Sequence, residues 1–513
     1  MFLKSSAIFS ILTFISRIFG FVRDILLASF FGTTAFADAF NIAFKLPNFF
    51  RSIFAEGAFS AAFVPIFSGT LSSEGKESAL KLGGNIFSIL TMSLLILILV
   101  LEVFMPFVIT LLAPGFEEDI EKFELTVLLT YITTPYLFFI SLVTFFSCIL
   151  NSIGKFAAMA ASPIILNVVM ILGMYFMGTT EMEKVVVTAW TVSVGGFIQL
   201  LVIMYFVIKR RVWPIISKPQ LTDSTKKFFY NLGPATLGSG VSQINLWIGT
   251  IIATSIPGAV SMIYYSDRLI QLPISLIGVS IGIVILPTLS RYFKTKNKTA
   301  AITTQNRALE IAMLLSFPCM VVLLAMAAPM IHILFERGEF RESDTINTTK
   351  GLITLALGLP AYVMNKIMVP CFFAVEDTKT PVKISIICMI VNVTGNLALI
   401  KYMGYSGITL ATSITAWVNV ILLIFFAYKK EIFMFESLTK IRSLKLLLAS
   451  VFLYLFLEAL NGLSSSMLYS GSKIVSLITF GGILLSGCIL YLYAIYATGA
   501  YKLEDFKELY KAT

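Results

Sequence analysis

The chain repeats, about fourteen times, an apolar stretch long enough to cross a bilayer. A spanning helix needs roughly 20 mostly apolar residues, and inside lipid only helices and closed barrels satisfy every backbone hydrogen bond. The stretches fall at 5–32, 36–67, 83–113, 123–150, 157–178, 185–208, 228–255, 262–290, 305–335, 346–374, 382–402, 406–428, 443–461 and 472–498, spans 1 to 14 in chain order. They predict an all-α polytopic membrane protein. Composition agrees: 58% of residues are hydrophobic, only 13% are charged and 45 are Phe, where soluble chains carry about 25% charged residues.

Loop charge predicts the orientation. Lys209, Arg210, Arg211, Lys218, Lys226 and Lys227 follow span 6; Arg291, Lys294, Lys296 and Lys298 follow span 8; Lys429, Lys430, Lys440 and Arg442 follow span 12. The odd exits, such as PGFEEDIEKFE (114–124) and SIPGAVS (255–261), are poor in positive charge. The positive-inside rule then places both termini in the cytoplasm. It also accounts for part of the +10 net charge without a nucleic-acid partner. Lys4 precedes an apolar run, but Arg17 interrupts it and no small-residue cleavage site follows, so span 1 reads as a membrane helix and not a cleaved signal. The five Cys are scattered through apolar segments without a CxxC, and His332 is the single histidine. A disulfide framework, a His-based metal site and a triad are not expected, and no cofactor is implied.

Two segments recur. FKLPNFFRSIFAEGAFSAAFVPIFS (44–68) aligns with IQLPISLIGVSIGIVILPTLS (270–290), and TPYLFFISLVTFFSCILNSIGK (134–155) aligns less closely with LPAYVMNKIMVPCFFAVEDTK (359–379). Both offsets are near 222–226 residues, or six spans. An even repeat keeps the two copies in one orientation, as in transporters with parallel repeats. The expected organisation is two six-helix lobes, 1–220 and 221–432, followed by helices 13–14 and a cytoplasmic tail, 433–513.

Span 1 holds Arg17, Arg23 and Asp24, and each charge at mid-bilayer costs roughly 2.5–3.5 kcal/mol on insertion scales. At about 100° per residue, Ser6, Ser10, Thr13, Ser16, Gly20, Arg23 and Asp24 share one sector with Arg17. Asp38, Asn41, Lys45, Asn48, Ser52 and Glu56 make a second stripe in span 2, bordered by Arg51. Tyr264, Arg268, Gln271, Ser275, Gly278 and Gly282 make a third in span 8, beside Asp267, and Lys366 lies mid-span in span 10. Ion pairs gluing helices together would balance their charges. Here Arg17, Arg23, Lys45, Arg51, Arg268 and Lys366 face only Asp24, Asp38, Glu56 and Asp267. A buried surplus of cations is costly, and a water-filled site awaiting an anion relieves it. Arginine forks suit phosphate oxygens. An ATP-binding G-x-x-x-x-G-K-[ST] is absent. An intramembrane enzyme acting on a lipid phosphate stays open, and an anion channel fits the repeat less well.

SRIFGFVRDILLASFFG (16–32), DAFNIAFKLPNFFRSIFAEGAFSAAFVPIFS (38–68), YYSDRLIQLPISLIGVSIGIVILPTLS (264–290) and DTKTPVK (377–383) closely resemble the bacterial lipid II flippase family MurJ, also called MviN. That family lies within the multidrug/oligosaccharidyl-lipid/polysaccharide exporters. The resemblance covers all fourteen spans. It implies two lobes around a central cavity that opens alternately to each side, with helices 13 and 14 (Leu446–Leu457 and Ile474–Tyr491) offering a groove for a lipid tail. Arg17, Arg23, Arg51 and Arg268 match the family's cavity arginines, which serve the diphosphate of the substrate, and Asp24 and Asp38 match the accompanying acids. Ser16, Glu56 and Lys366 complete the expected substrate-binding set. Gln271 departs from relatives that carry an acid there. The implied partners are lipid II and membrane lipids, the implied location is the inner membrane, and no covalent chemistry is required, so the protein is not expected to be an enzyme. A flippase for another lipid-linked oligosaccharide is the rival reading. A monovalent cation is a further possible partner: Asn392, Thr394 and Asn396 in span 11 suit either a cation site or polar packing between helices, and a membrane-potential drive needs neither.

Overall fold

The computed structural model describes residues 2–55, 58–176 and 178–501, with side chains at 2–10, 53–55, 58, 61, 231, 234–242 and 244–246 outside that description. Helix is the regular structure of the described residues, with no strand among them. By internal packing the chain divides into two compact units, Met1–Ser261 and Met262–Thr513.

The first unit contains α1 (Phe2–Phe31), α2 (Ala35–Ala55), α3 (Ala58–Ser73), α4 (Lys76–Val103), α5 (Met105–Leu112), α6 (Ile120–Thr133), α7 (Pro135–Ser152), α8 (Ala157–Tyr175), α9 (Glu181–Lys209) and α10 (Asp223–Ala253), and it ends within the first turn of α11 (Ala259–Pro273). The second continues from α11 through a π-helical turn (Ile274–Val279) to α12 (Ser280–Lys294), α13 (Lys298–Ala325), α14 (Ala327–Phe335), α15 (Glu342–Ala356) and α16 (Leu359–Phe373). It closes with α17 (Lys379–Met403), α18 (Tyr405–Lys429), α19 (Ser437–Leu463), α20 (Ser465–Leu468) and α21 (Lys473–Ala497).

Each apolar stretch of the sequence coincides with one helix or a consecutive pair. Proline explains several of the pairs. Spans 3, 4 and 10 restart at α5, α7 and α16, each with a proline in its first turn, where the missing N–H costs nothing. Among the described residues, ten helices are long and apolar enough to cross a membrane, or eleven if α15 and α16, bent by 40°, count as one. The remaining expected spans fall on α1, on α2 with α3, and on α10. Of these, α1 and α2 carry the charged stripes, so their apolar windows are interrupted. Fourteen crossings remain an expectation of the sequence.

The division at Ser261 lies one helix beyond the expected 220/221 boundary, because α10 packs on α2, α3 and α4. The core of the first unit is aromatic: Phe63 contacts Phe59, Phe67, Phe145 and Phe228. In the second unit α17 and α18 cross closely at Gly407, where a Cβ would sit 2.5 Å from the Leu399 carbonyl oxygen. Small residues at crossings are how helices associate where lipid removes the hydrophobic drive. Outward-facing Leu99, Phe107, Phe425, Leu455 and Ile478 are exposed, as a lipid-facing surface requires.

Candidate substrate site

Helix α1 is the first wall. Arg23 and Asp24 are buried at 7% and 2% exposure. Arg23 donates to Asp24 Oδ1 from Nε (3.1 Å) and Nη2 (2.7 Å), and to Asn167 Oδ1 from Nη1 (2.9 Å). Its guanidinium lies 5.6 Å from the Phe44 ring centroid. Asn167, on α8, uses its other end too: Nδ2 donates to the Ser16 carbonyl oxygen at 3.2 Å. Gly20 faces that amide, and a Cβ there would meet it at 3.4 Å, in ordinary contact. One asparagine therefore fixes both the arginine head and the helix backbone nearly two turns before it. Ser16 is half-buried and Arg17 is exposed.

Helix α2 behaves differently along its length. Asp38 is fully buried, and its carboxylate accepts four bonds: Lys122 Nζ (2.8 Å) and Gly258 N (2.9 Å) on Oδ2, Ser261 N (2.9 Å) and Ser261 Oγ (2.7 Å) on Oδ1. Further along, Lys45 bonds Thr250 Oγ1 and lies 5.0 Å from the Trp247 ring centroid. Half-buried Arg51 donates from Nε to Asn48 Oδ1 at 3.0 Å. Glu56 lies outside the described residues.

In the second unit, Arg268 donates to Tyr264 Oη at 3.0 Å and lies 4.5 Å from that ring's centroid. Gln271 reaches both Asp267 oxygens at 3.4 Å. The stripe then passes into the π-helical turn that follows Pro273, an irregularity common at functional sites. Helix α16 crosses it there. A Cβ at Gly282 would stand 2.6 Å from the Lys366 carbonyl oxygen, and one at Gly278 would stand 3.1 Å from Lys366 Cγ. Lys366 itself is exposed and makes no side-chain hydrogen bond or ion pair among the described residues.

Of the sequence-expected residues, the structure brings Arg23, Asp24 and the Ser16 backbone together through Asn167, while Asp38 meets Lys122 and the start of α11. Sequence reasoning missed Lys122 and Asn167, and it placed Gly278 and Gly282 in the span 8 stripe without the α16 backbone against them. Lys122 adds a seventh cation against the same four acids, so the formal surplus grows. In α17, Asn396 donates to Asn392 at 3.0 Å and Asn392 to Thr415 on α18 at 3.4 Å, both asparagines being buried. Thr394 turns outward and bonds its own helix.

The connection between α16 and α17 is held by Asp377. It accepts from the Thr380 backbone (3.0 Å) and hydroxyl (2.7 Å) and pairs with Lys430 at the end of α18. Partial burial pushes its carboxyl up, but the bonds from Lys430 and Thr380 outweigh this and hold it at about 2.

A family described as "Lipid II flippase MurJ" matches residues 27–480. A probable lipid II flippase MurJ of Rickettsia prowazekii (strain Madrid E) is 39% identical over 490 residues, 95% of this chain and 96% of that one. One from Vibrio cholerae is 36% identical over 434 residues, 82% of each. Among solved structures, a lipid II flippase MurJ in an inward closed conformation aligns with a TM-score of 0.79 at 28% identity, covering 95% of this chain and 97% of that one. An inward-facing MATE-family multidrug transporter of the MOP superfamily shares the fold at 16% identity, with a TM-score of 0.69 over 81% of this chain and 94% of its own.

Proposed function

The chain belongs to the lipid II flippase MurJ family, and from that premise we propose that it carries lipid II from the cytoplasmic to the outer face of the inner membrane by alternating access. The substrate joins a polyprenyl tail to a diphosphate and a sugar–peptide head. Such a head cannot shed its water into lipid without replacement hydrogen bonds, so the protein must offer a polar, cationic path beside an apolar one. The observation that carries this reading is the buried Arg23 of α1, oriented by Asp24 and Asn167 and sharing its stripe with the exposed Arg17. No bond is made or broken, so the chain acts as a transporter and not as an enzyme.

Arg17, Arg23, Arg51 and Arg268 are assigned to the diphosphate and other anionic groups, Ser16 and Lys366 to the polar head, and Asp24 to orienting Arg23. Asp38 is assigned a positioning role, because its oxygens are committed to Lys122, Gly258 and Ser261. Glu56, outside the described residues, keeps the assignment its place in the sequence stripe of span 2 suggests. Helices α19 and α21 are assigned to the tail. The assignment of a coupling monovalent cation to Asn392, Thr394 and Asn396 is the weaker reading beside polar packing between helices, because Asn396 bonds Asn392, Asn392 bonds Thr415 and Thr394 turns outward. Flux unchanged when Na⁺ and K⁺ are replaced by choline removes that assignment.

The test is complementation of a strain depleted of its lipid II flippase, with lipid II binding and membrane abundance measured for purified variants. Arg23→Ala, Arg51→Ala and Arg268→Ala should abolish transport at near-normal abundance. Arg→Lys should lose much of it, since the fork matters as well as the charge. Alanine variants that bind lipid II normally but are depleted from the membrane would make the arginines helix glue and overturn the reading. For the orientation, cysteines at Ser217 and Lys296 should label from the cytoplasm and one at Glu118 from outside.

A further inference from the structure

The second unit has an apolar groove distinct from the arginine stripes, and the first turns of α19 form one of its walls. Leu309 and Met313 of α13, Met364 of α16, Val420 of α18 and Phe435 of the α18–α19 connection wall a cavity of about 370 Å³. An adjoining cavity of about 430 Å³ shares Ile421, Ile424 and Phe435 and continues along α18 to Tyr428. Each lies within the roughly 300–1,000 Å³ typical of small-molecule sites. The groove opens outward, because Ile421, Phe425 and Tyr428 are 60%, 57% and 60% exposed.

Its polar groups are few and nearly all committed. The Trp417 indole N–H donates to the Leu357 carbonyl oxygen at 2.9 Å, and Ser443 Oγ donates to the Thr439 carbonyl oxygen at 2.6 Å. Lys440 is the exception. Three cations occupy the first two and a half turns of α19. Arg442 pairs with Glu310 at 2.9 Å, and Lys445 donates to the Gly499 carbonyl oxygen at 3.0 Å. Lys440, which lines the groove and is exposed, has no side-chain hydrogen bond or ion pair among the described residues. The Glu310–Arg442 and Glu310–Thr439 bonds pin one side of α19 to α13, and Lys440 stands among the residues that line the groove.

A carbon-walled groove facing lipid with one uncommitted cation in its lining selects a molecule with an extended hydrocarbon chain and an anionic head. We infer that it holds one anionic phospholipid of the cytoplasmic leaflet, an acyl chain lying along α18 and the phosphate on Lys440. A soluble phosphate would leave the apolar walls unused. A zwitterionic lipid would fill the walls but gain little from the cation. This rests on the orientation expected from loop charge, which puts Lys440 at the cytoplasmic surface, where an interfacial lysine attracts anionic lipid by ~1 kcal/mol, about fivefold in affinity.

The experiment uses the full chain purified from vesicles of equal phosphatidylglycerol and phosphatidylethanolamine, with retained lipid counted by native mass spectrometry. Phosphatidylglycerol should be retained over phosphatidylethanolamine by about fivefold, the ratio that one interfacial cation supplies. Lys440→Gln should bring that ratio to about one without changing the total, Lys440→Arg should keep it, and Ser443→Trp, which fills the groove, should remove the retained lipid. Size-exclusion profiles matching wild type establish that the variants fold. Equal retention of both lipids by wild type, or a preference that survives Lys440→Gln, would overturn the assignment. So would displacement of phosphatidylglycerol by undecaprenyl phosphate added to the vesicles, which would give the groove to a polyprenyl tail.

Discussion

Lys122 and Asp38, 84 positions apart, pair at 2.8 Å with side chains 8% and 0% exposed. The same carboxylate takes the backbone N–H groups of Gly258 and Ser261 at the start of α11, where unsatisfied donors and the helix dipole favour an anion. Lys122 also lies 3.9 Å from the Phe116 ring centroid. One acid thus ties the N-terminal ends of α2, α6 and α11.

Removing one partner of such a buried pair strands the other. Asp38→Asn should therefore lower the stability of the purified protein by ~3–5 kcal/mol, the usual cost of an uncompensated buried charge. Lys122→Met in the same chain should recover part of it. A thermal-unfolding double-mutant cycle measures the coupling, and strictly additive losses would show that the pair does not act as a unit.

Asn167 is the second test. Asn167→Ala removes the acceptor for Arg23 Nη1 and the donor to the Ser16 carbonyl oxygen. Losing a hydrogen bond to a charged group costs ~1.5–3 kcal/mol, so lipid II binding should weaken by tenfold or more at unchanged membrane abundance. Asn167→Gln, which keeps both functional groups, should recover some of it. Full binding by the alanine variant would mean that Asp24 orients the arginine alone.

These two residues also mark where the sequence stops being legible. Apolar length and the 100° periodicity are local properties, so the helices, the stripe through Arg17 and Arg23 and the charge surplus can be read directly. Lys122 stands in the acidic segment PGFEEDIEKFE, where sequence alone reads a solvated charge, and its meaning depends on Asp38 arriving from α2. Asn167 shares a mostly apolar helix with Ser162, and nothing nearby in the chain names Arg23 as its partner. The π turn was hidden for a related reason. The sequence shows Pro273 and two glycines four apart, but their use is set by the backbone of α16 passing over them.

The Asp377–Lys430 pair predicts a pH response in the α16–α17 connection. The Asp377 carboxyl is held at about 2 against an ordinary 3.8. A depressed carboxyl stabilises the fold above its unfolded value, and that contribution is lost as pH falls through the folded value. The difference in melting temperature between wild type and Lys430→Gln should therefore be constant from pH 8 to 5 and shrink between about pH 4 and 2. A difference that already fades between pH 7 and 5 would place the responsible group elsewhere.

Gly282 and Gly278 make the last prediction because they differ in what a methyl would meet. At Gly282 the nearest atom is the Lys366 carbonyl oxygen, 2.6 Å from the added carbon, with the Lys366 carbonyl carbon at 3.6 Å. Backbone cannot rotate aside, so α16 and α12 must separate. At Gly278 the contacts are Lys366 Cγ at 3.1 Å and Cβ and the Val363 Cα at 3.3 Å, which a lysine rotamer change and a few tenths of an ångström relieve. Overpacking of a close crossing costs typically ~1–3 kcal/mol, and Gly282→Ala should fall in that range while Gly278→Ala stays below it. Because the same movement carries Lys366, transport in the depletion strain should fail for Gly282→Ala and be only reduced for Gly278→Ala. Melting temperature and complementation, measured together, separate the two effects. A Gly282→Ala protein of wild-type stability and activity would show that α16 does not pass this close to α12.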